Sequence, residues 1–232
     1  MRQIPLAIGP APLHTFDAFV PGANAAALLH LRDLAASLPH AAGEAATPVY
    51  LWGPRGSGKT HLLRALADAA HARGQRAGWF DAASATPWPF DEGWSLLLLD
   101  ACETLDAEQQ QAAFAMFIEA AAHGVPIAAA GAVPPIDLPL RDDVRTRLAW
   151  GHVFALEPLA ENDARAAMRR EADRRGIFLS DEVMDYLLTR FSRDLRHLMS
   201  LLDRLDEFAL SQHRAVTVPL LKRMFEQEGA TL

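Results

Sequence analysis

The sequence predicts an α/β fold in which a parallel sheet is followed by a smaller, all-helical domain. Short apolar runs alternate with segments of helical periodicity up to Leu156, and only helical periodicity follows Pro158. Parallel strands need crossover helices, which cover both faces of the sheet, so the alternation favours a parallel sheet between two helical layers. We therefore expect an extended tail over residues 1–14, an α/β domain over residues 15–157 and a helical domain over residues 158–232.

Each predicted strand is a short apolar run bounded by turn residues or charges. These runs are residues 48–52, 77–81, 95–99 and 126–130, and Asp100 closes the third of them. Apolar residues at helical spacing predict helices over residues 24–38, 60–74, 107–122, 161–175, 181–191, 194–211 and 219–228. Ser180 and Thr217 stand at N-cap positions, and Gly176 stands where a helix ends.

Composition excludes several classes of protein. Half of the 232 residues are apolar and 22% are charged, so the chain can bury a core. The formal charge of −7 would repel phosphates, which disfavours unaided binding of duplex DNA. Cys102 is the single cysteine, which excludes an internal disulfide and indicates a reducing compartment. Residues 1–13 lack the apolar stretch of a signal peptide and prolines interrupt residues 120–136, so we expect a cytoplasmic protein without membrane contact.

A phosphate-binding motif lies between the first predicted strand and the next helix. Gly53-Pro54-Arg55-Gly56-Ser57-Gly58-Lys59-Thr60 fits the Walker A pattern, in which glycines let backbone N–H groups point at phosphate oxygens. Lys59 would bridge the β- and γ-phosphates, and Thr60 would hold Mg²⁺. A glycine-rich turn that matches by chance is the alternative, but the apolar strand before and the amphipathic helix after favour ADP or ATP with Mg²⁺.

The second half of such a site is an acidic residue at the end of a buried strand. Asp100 fits this place and would hold the water shell of Mg²⁺, although an Asp also ends many strands that bind nothing. ATP hydrolases of this kind usually place a carboxylate directly after that Asp, where this chain has Ala101. Whether Glu103 reaches the same place is left open. We therefore expect little ATP hydrolysis by this chain alone.

Four short runs resemble the DnaA-related family of AAA+ proteins. They are Gly58-Lys-Thr-His-Leu-Leu63, Thr15-Phe-Asp-Ala-Phe19, Arg147-Leu-Ala-Trp-Gly151 and Leu156-Glu-Pro-Leu159. The resemblance extends from about residue 15 to the C-terminus and implies a P-loop sheet domain with a helical lid. The bacterial initiator DnaA continues past its lid into a DNA-binding domain, whereas this chain ends at Leu232, which is similar to the branch of the family that inactivates DnaA.

The resemblance also implies roles for individual residues. Phe19, Val20, Gly22 and Asn24 match the linker around the adenine, and His61 extends the Walker A segment. Arg196 matches the lid arginine, called sensor 2, that contacts the chain's own nucleotide. Arg147 falls at the arginine-finger position, which reaches the nucleotide of a neighbouring subunit, and Arg145 is a second cation nearby. A solvated, salt-bridging arginine is the alternative at both positions. At the usual place of the polar sensor 1 residue, residues 128–132 offer only alanine and glycine.

The tail carries one more motif. Gln3, Leu6 and Ile8 resemble the peptide that binds the sliding clamp, the β subunit of DNA polymerase III, through one amide and two apolar side chains. The resemblance therefore implies two partners, DnaA and the clamp, with DNA reached only indirectly through the clamp. A homo-oligomer is left open.

These inferences lead to one main hypothesis and two alternatives. The main hypothesis is a regulator of replication initiation that is anchored to the clamp, stimulates hydrolysis of DnaA-bound ATP through Arg147 and so prevents reinitiation. The first alternative is a DnaA-like adaptor that binds DNA or tethers replication proteins without triggering hydrolysis. The second is a stand-alone P-loop enzyme such as a small-molecule kinase, which the helical lid and the lack of a second substrate motif disfavour.

Overall fold

The computed structural model describes residues 14–39, 47–191, 195–212 and 214–227. The predicted clamp-binding residues Gln3, Leu6 and Ile8 lie outside these ranges, so that motif stays a prediction. Contacts divide the chain into two compact units. One comprises the residues up to Phe19, Ala26–Trp52 and Lys59–Ala155, and the other comprises Val20–Ala25, Gly53–Gly58 and the residues from Leu156 onward.

A five-stranded parallel sheet forms the centre of the first unit. Its strands are β1 (Val49–Trp52), β2 (Arg76–Phe80), β3 (Trp94–Leu99), β4 (Ile127–Gly131) and β5 (His152–Ala155), and they pair in the order β2-β3-β4-β1-β5. β3 and β4 are almost wholly buried because they lie inside the sheet. The predicted parallel α/β class and its four apolar strands are confirmed, and β5 is an additional edge strand.

Helices flank this sheet. They are α1 (Ala25–Ser37), α2 (Lys59–Ala72), α3 (Ala107–His123) and the short α4 (Asp142–Trp150). α3 buries Ala113, Met116 and Phe117 against the sheet, and Asp106 caps its N-terminus by accepting the Gln109 N–H. α4 was not among the predicted helices, because only Val144 and Leu148 of its side chains are buried and its pattern is too short to show a period.

The all-helical segment is built as predicted. Its helices are α5 (Glu161–Arg174), α6 (Asp181–Arg190), α7 (Leu195–Gln212) and α8 (Val218–Gln227). Their apolar faces meet in a separate core that includes Met168, Leu187, Leu202 and Leu221. Ser180 Oγ accepts the Val183 N–H at 3.3 Å, which confirms the predicted N-cap. Within the described residues, no helix has both the length and the apolar character that crossing a bilayer requires.

Candidate functional site

The loop between β1 and α2 has the backbone that the Walker A pattern predicts. Gly53, Gly56 and Gly58 have φ angles of +151°, +83° and +96°, which glycine adopts far more readily than other residues. A Cβ added to Gly53 would lie 2.2 Å from the carbonyl oxygen of Leu156, so only glycine fits there. Ser57 is buried and its N–H donates to the carbonyl oxygen of Pro54 at 3.3 Å, while Pro54 and Arg55 are exposed. The loop is therefore a tightly wound turn that leads into Lys59.

The first residues of α2 meet the end of β3. Thr60 Oγ1 donates a hydrogen bond of 2.7 Å to Asp100 Oδ2, and Asp100 Oδ1 accepts the Ala101 N–H at 2.9 Å. Burial lowers the pKa of Lys59 below its usual value, and the negative charges of Glu103 and Asp100 partly oppose this. Thr60 and Asp100, which the sequence assigns to one Mg²⁺, are thus brought together, with the Lys59 ammonium in the field of two carboxylates.

Glu103 reaches the end of β4 rather than the place directly after Asp100. Its Oε2 accepts the Ala132 N–H at 3.0 Å, and the same oxygen lies 3.2 Å from where a Cβ on Gly131 would be. Ala101, which lies between Asp100 and Glu103 in the sequence, has a φ of +52°. This is the left-handed region, which is uncommon for residues other than glycine. Such backbone outliers cluster at functional sites. The Glu103 carboxylate is therefore held by a backbone N–H just beyond the end of β4.

Cys102, between these residues, is fully buried. Burial is the main reason why the pKa of its thiol rises to about 12, and the charge of Glu103 adds to the effect. A thiol with so little thiolate is a poor nucleophile. Cys102 is thus a packing residue beside the site, as its sequence position suggests.

The segment before α1 makes specific contacts through residues that precede Phe19 in the sequence, through Phe19 itself and through residues that follow it. His61 Nε2 lies 3.0 Å from the carbonyl oxygen of Thr15, to which its Nε2–H tautomer donates, and the rings of Phe19 and His61 are 5.7 Å apart. Val20 is half-buried, and Gly22 has a φ of +48°. The buried Asn24 side chain donates to the Glu157 carbonyl oxygen at 2.9 Å and accepts the Glu157 N–H at 2.8 Å. Two of the residues predicted to surround the adenine, Phe19 and Asn24, are thus held by specific contacts.

Arg196 lies in the first turn of α7, and its side chain is outside the described part of the structure. Its predicted contact with nucleotide therefore stays a prediction.

Three arginines lie on or next to α4, and their environments differ. Arg141 pairs with Asp143 at 2.7 Å, and Arg145 pairs with Asp142. Among the described residues, no carboxylate pairs with Arg147; instead its Cζ lies 5.0 Å from the centre of the Phe114 ring on α3. A guanidinium over an aromatic face is attracted by the ring while its N–H donors stay available. Within the described ranges, the arginine at the predicted finger position is thus the one of these three that has no carboxylate partner.

Sequence reasoning missed Phe114. It lies beside the buried α3 stripe of Ala113, Met116 and Phe117, and its ring also contacts Arg141, whose Cζ is 5.9 Å from the ring centre. A large aromatic residue off the buried face of an amphipathic helix is the signal that could have drawn attention to it.

Comparison with known proteins identifies the family. One family model, the bacterial DnaA ATPase domain, matches residues 11–79, and a second, the lid domain of Hda, matches residues 161–225. The chain is a DnaA-related, Hda-like AAA+ protein. The first match includes the P-loop, and the second lies within the helical segment.

Solved structures support the same fold. Domain III of the replication initiation protein DnaA from Thermotoga maritima has a TM-score of 0.75 at 20% identity, covering 94% of this chain and 97% of that one. AMPPCP-bound DnaA from Aquifex aeolicus has a TM-score of 0.72 at 22% identity, covering 94% and 70%. The Thermotoga maritima RuvB Holliday junction branch migration motor has a TM-score of 0.61 at 16% identity, covering 86% and 68%. At these identities the similarity is one of fold, and the AAA+ architecture is confirmed.

Proposed function

We propose that this DnaA-related protein is a cytoplasmic regulator of replication initiation. It holds ADP or ATP with Mg²⁺, binds the sliding clamp through Gln3, Leu6 and Ile8, and supplies Arg147 to ATP bound on DnaA. Hydrolysis would convert DnaA to its ADP form and prevent reinitiation. The acidic chain would reach DNA through the clamp, because its net charge of −7 opposes direct binding.

The nucleotide part of the proposal rests on the P-loop and its partners. The backbone of residues 53–58 would surround the phosphates, and the Lys59 ammonium would neutralise their charge. Mg²⁺ usually binds through one or two protein groups together with phosphate oxygens and water, and the Thr60 hydroxyl and the Asp100 carboxylate, 2.7 Å apart, fit that need. The bound ion would neutralise phosphate charge. The AMPPCP-bound DnaA structure, which shares this fold, supports the choice of nucleotide.

The environment of the Arg147 side chain is the observation that supports the regulatory part of the proposed function. Its guanidinium has no carboxylate partner among the described residues and is held over the Phe114 ring. In a family whose members act on nucleotides, an unpaired guanidinium on a short surface helix is suited to reach a phosphate on another subunit. Arg145 is occupied by Asp142 and by the Ile136 carbonyl, so it is less suited to this role.

The chemistry would take place on DnaA. Water attacks the γ-phosphorus, the bond to the oxygen that bridges the β- and γ-phosphates breaks, and ADP and phosphate are released. Arg147 would donate hydrogen bonds to the phosphoryl oxygens as charge develops on them, a contribution of about 10³–10⁵ in rate for arginine fingers. Hydrolysis of the chain's own nucleotide would be slow, because Ala101 and Ala132 offer no side chain to orient water and Glu103 is bound to a backbone N–H.

The test is a hydrolysis assay with DnaA carrying radiolabelled ATP, clamp-loaded DNA and this protein. Arg147→Ala should lower the stimulated rate at least about 10³-fold. Arg145→Ala is the matched control, from the same helix, and should reduce the rate only slightly because that guanidinium is already paired. ADP binding should be unchanged in both variants.

Full stimulation by the Arg147→Ala protein would contradict the arginine-finger role. Tight binding to duplex DNA without the clamp, at physiological salt and without stimulated hydrolysis, would instead favour a DnaA-like adaptor. Clamp binding is tested separately by replacing Gln3 and Leu6 with alanine, which should abolish it and leave nucleotide binding intact.

A further inference from the structure

Trp150 is a tryptophan that the fold does not bury. Its exposed fraction is 71%, and it is the last residue of α4. Tryptophan is usually well buried in a folded domain, so an indole in solvent costs free energy that a partner would recover. The packing of the residues that the structure describes does not account for a tryptophan at this position.

The position of Trp150 relates it directly to Arg147. Residues three apart on a helix lie on the same face, so the indole and the guanidinium are neighbours on the surface of α4. One further exposed apolar residue lies near this face: Ile118, one turn after Phe114 on α3, whose ring holds the Arg147 guanidinium. An arginine with apolar neighbours is the typical composition of an interface centre.

The backbone at Trp150 is firmly held. The next residue, Gly151, lies so close to Pro48 that an added Cβ would be 1.9 Å from the Pro48 carbonyl oxygen. His152, the first residue of β5, donates its N–H to that same oxygen at 2.9 Å. The helix end therefore presents the indole from a fixed position, and a partner would not have to order it.

The charged residues of α4 indicate which chemical groups the surface of the partner must present. Asp142 pairs with Arg145, and Asp143 pairs with Arg141. Within the described structure, Arg147 is therefore the cation of this helix without an ion pair. A complementary surface therefore combines an anion that reaches Arg147 with an apolar recess beside it. An ATP-loaded protein whose phosphates lie next to an apolar surface has both.

We propose that Trp150 is the apolar anchor of the α4 face, and that it docks on the same ATP-loaded subunit whose phosphates receive Arg147. The proposal rests on the function proposed above and assigns separate roles to the two residues. Trp150 sets the affinity for the partner, and Arg147 sets the rate of hydrolysis once the partner is bound. Aromatic residues at interface centres commonly have this role.

The experiment separates affinity from rate. Stimulated hydrolysis of radiolabelled ATP on DnaA is measured against the concentration of this protein, with clamp-loaded DNA held constant. Trp150→Ala should raise the half-maximal concentration about 10-fold or more with the maximal rate unchanged, and Trp150→Phe should raise it less. Phe178→Ala is the matched control, since Phe178 is an 82% exposed aromatic residue of the other compact unit, and it should leave both values unchanged.

The outcomes distinguish the two proposals. An unchanged half-maximal concentration for Trp150→Ala, or an equal rise for Phe178→Ala, overturns the anchoring role while leaving the arginine-finger proposal standing if Arg147→Ala still abolishes stimulation. Stimulation that survives Arg147→Ala overturns the underlying function. Loss of self-association in Trp150→Ala, seen by sedimentation without a change in stimulation, would assign this face to a second copy of the chain and also overturns the proposal. Thermal unfolding and ADP affinity should match the wild type, because the indole makes few contacts.

Discussion

The guanidinium of Arg147 rests on the aromatic face of Phe114, with its Cζ 5.0 Å from the ring centre. Phe114 lies on α3 and Arg147 on α4, so the direction of the arginine depends on how these two helices pack. A flexible arginine loses side-chain entropy when it reaches a phosphate, and a ring that already restricts it lowers that cost.

Phe114→Leu should therefore lower the maximal stimulated rate of hydrolysis on DnaA about 3- to 10-fold, the range expected for loss of a partly exposed cation–π contact. Leucine keeps most of the apolar contact with the core but has no aromatic face. Phe114→Tyr is the control and should retain the wild-type rate. Equal rates for the leucine and tyrosine variants would contradict a positioning role for the ring.

Thr60→Val tests the proposed Mg²⁺ ligands. The substitution keeps the shape but removes the hydroxyl that donates to Asp100, so we expect the affinity for ADP to fall about 10-fold or more in the presence of Mg²⁺. In EDTA the loss should be much smaller. Titration calorimetry measures both affinities, and Thr60→Ser should restore the Mg²⁺ effect. A loss that is the same with and without the ion would argue against this role for Thr60.

Glu103→Gln tests the electrostatics around Lys59. Burial lowers the pKa of Lys59, and the Glu103 carboxylate opposes that effect, so its replacement by a neutral amide should lower the pKa further. The ammonium form that binds phosphate would then be lost at a lower pH as the pH rises. The alkaline limb of the pH profile of ADP affinity should shift toward lower pH.

Glutamine can still accept the Ala132 N–H, so the structure around residue 103 should be kept. Glu92→Gln, at an exposed glutamate, is the charge-matched control and should leave the profile unchanged. Identical profiles for the wild type and Glu103→Gln would show that the carboxylate does not act on Lys59.

Glu171 in α5 predicts a pH-dependent stability. Hydrogen bonds from Arg174, followed by those from Arg175, hold its pKa at about 2, below the usual value of about 4.5. Because the pKa is lower in the folded state, the stabilisation is fully present above about pH 5 and is lost as the pH falls from about 4.5 toward 2. Glu171→Gln should lower the free energy of unfolding by about 1–2 kcal/mol at pH 7, allowing for solvent screening.

Urea unfolding at pH 7, 5 and 3.5 checks this prediction by circular dichroism. The difference between wild type and Glu171→Gln should be similar at the two higher values and smaller at the lowest. Glu226→Gln, at an exposed glutamate near the end of α8, should show little change at any pH. A difference that stays constant down to pH 3.5 would contradict the ion-pair explanation.

Local patterns predicted the elements whose residues interact with near neighbours in the chain. The run of leucines in β3 and the helical spacing in α7 are enough to predict those two elements. The motif of residues 53–60 likewise predicts the glycine-rich turn between β1 and α2. β5 is different, because it is an edge strand with mostly exposed side chains. It is defined by its backbone pairing with β1 rather than by an apolar pattern of its own. Its sequence carries little of that information.

The contacts that distinguish the candidate site are long-range in sequence. Asn24 bonds to Glu157 across 133 residues, and Glu103 bonds to Ala132 across 29. The sequence could name Glu103 as a carboxylate near Asp100 but not the backbone N–H that holds it. Likewise, the motif predicted a finger at Arg147, whereas the absence of a carboxylate partner within the described residues could only be seen from the packed α3 and α4.

The burial of Cys102 has a practical consequence. Because it is the only cysteine and its pKa is raised to about 12, maleimide reagents should not label the native protein. A cysteine introduced at an exposed position would then be the sole reactive thiol. Fluorescent or spin labels could be attached at one chosen site, without first removing the native cysteine, to follow encounters with other proteins in real time.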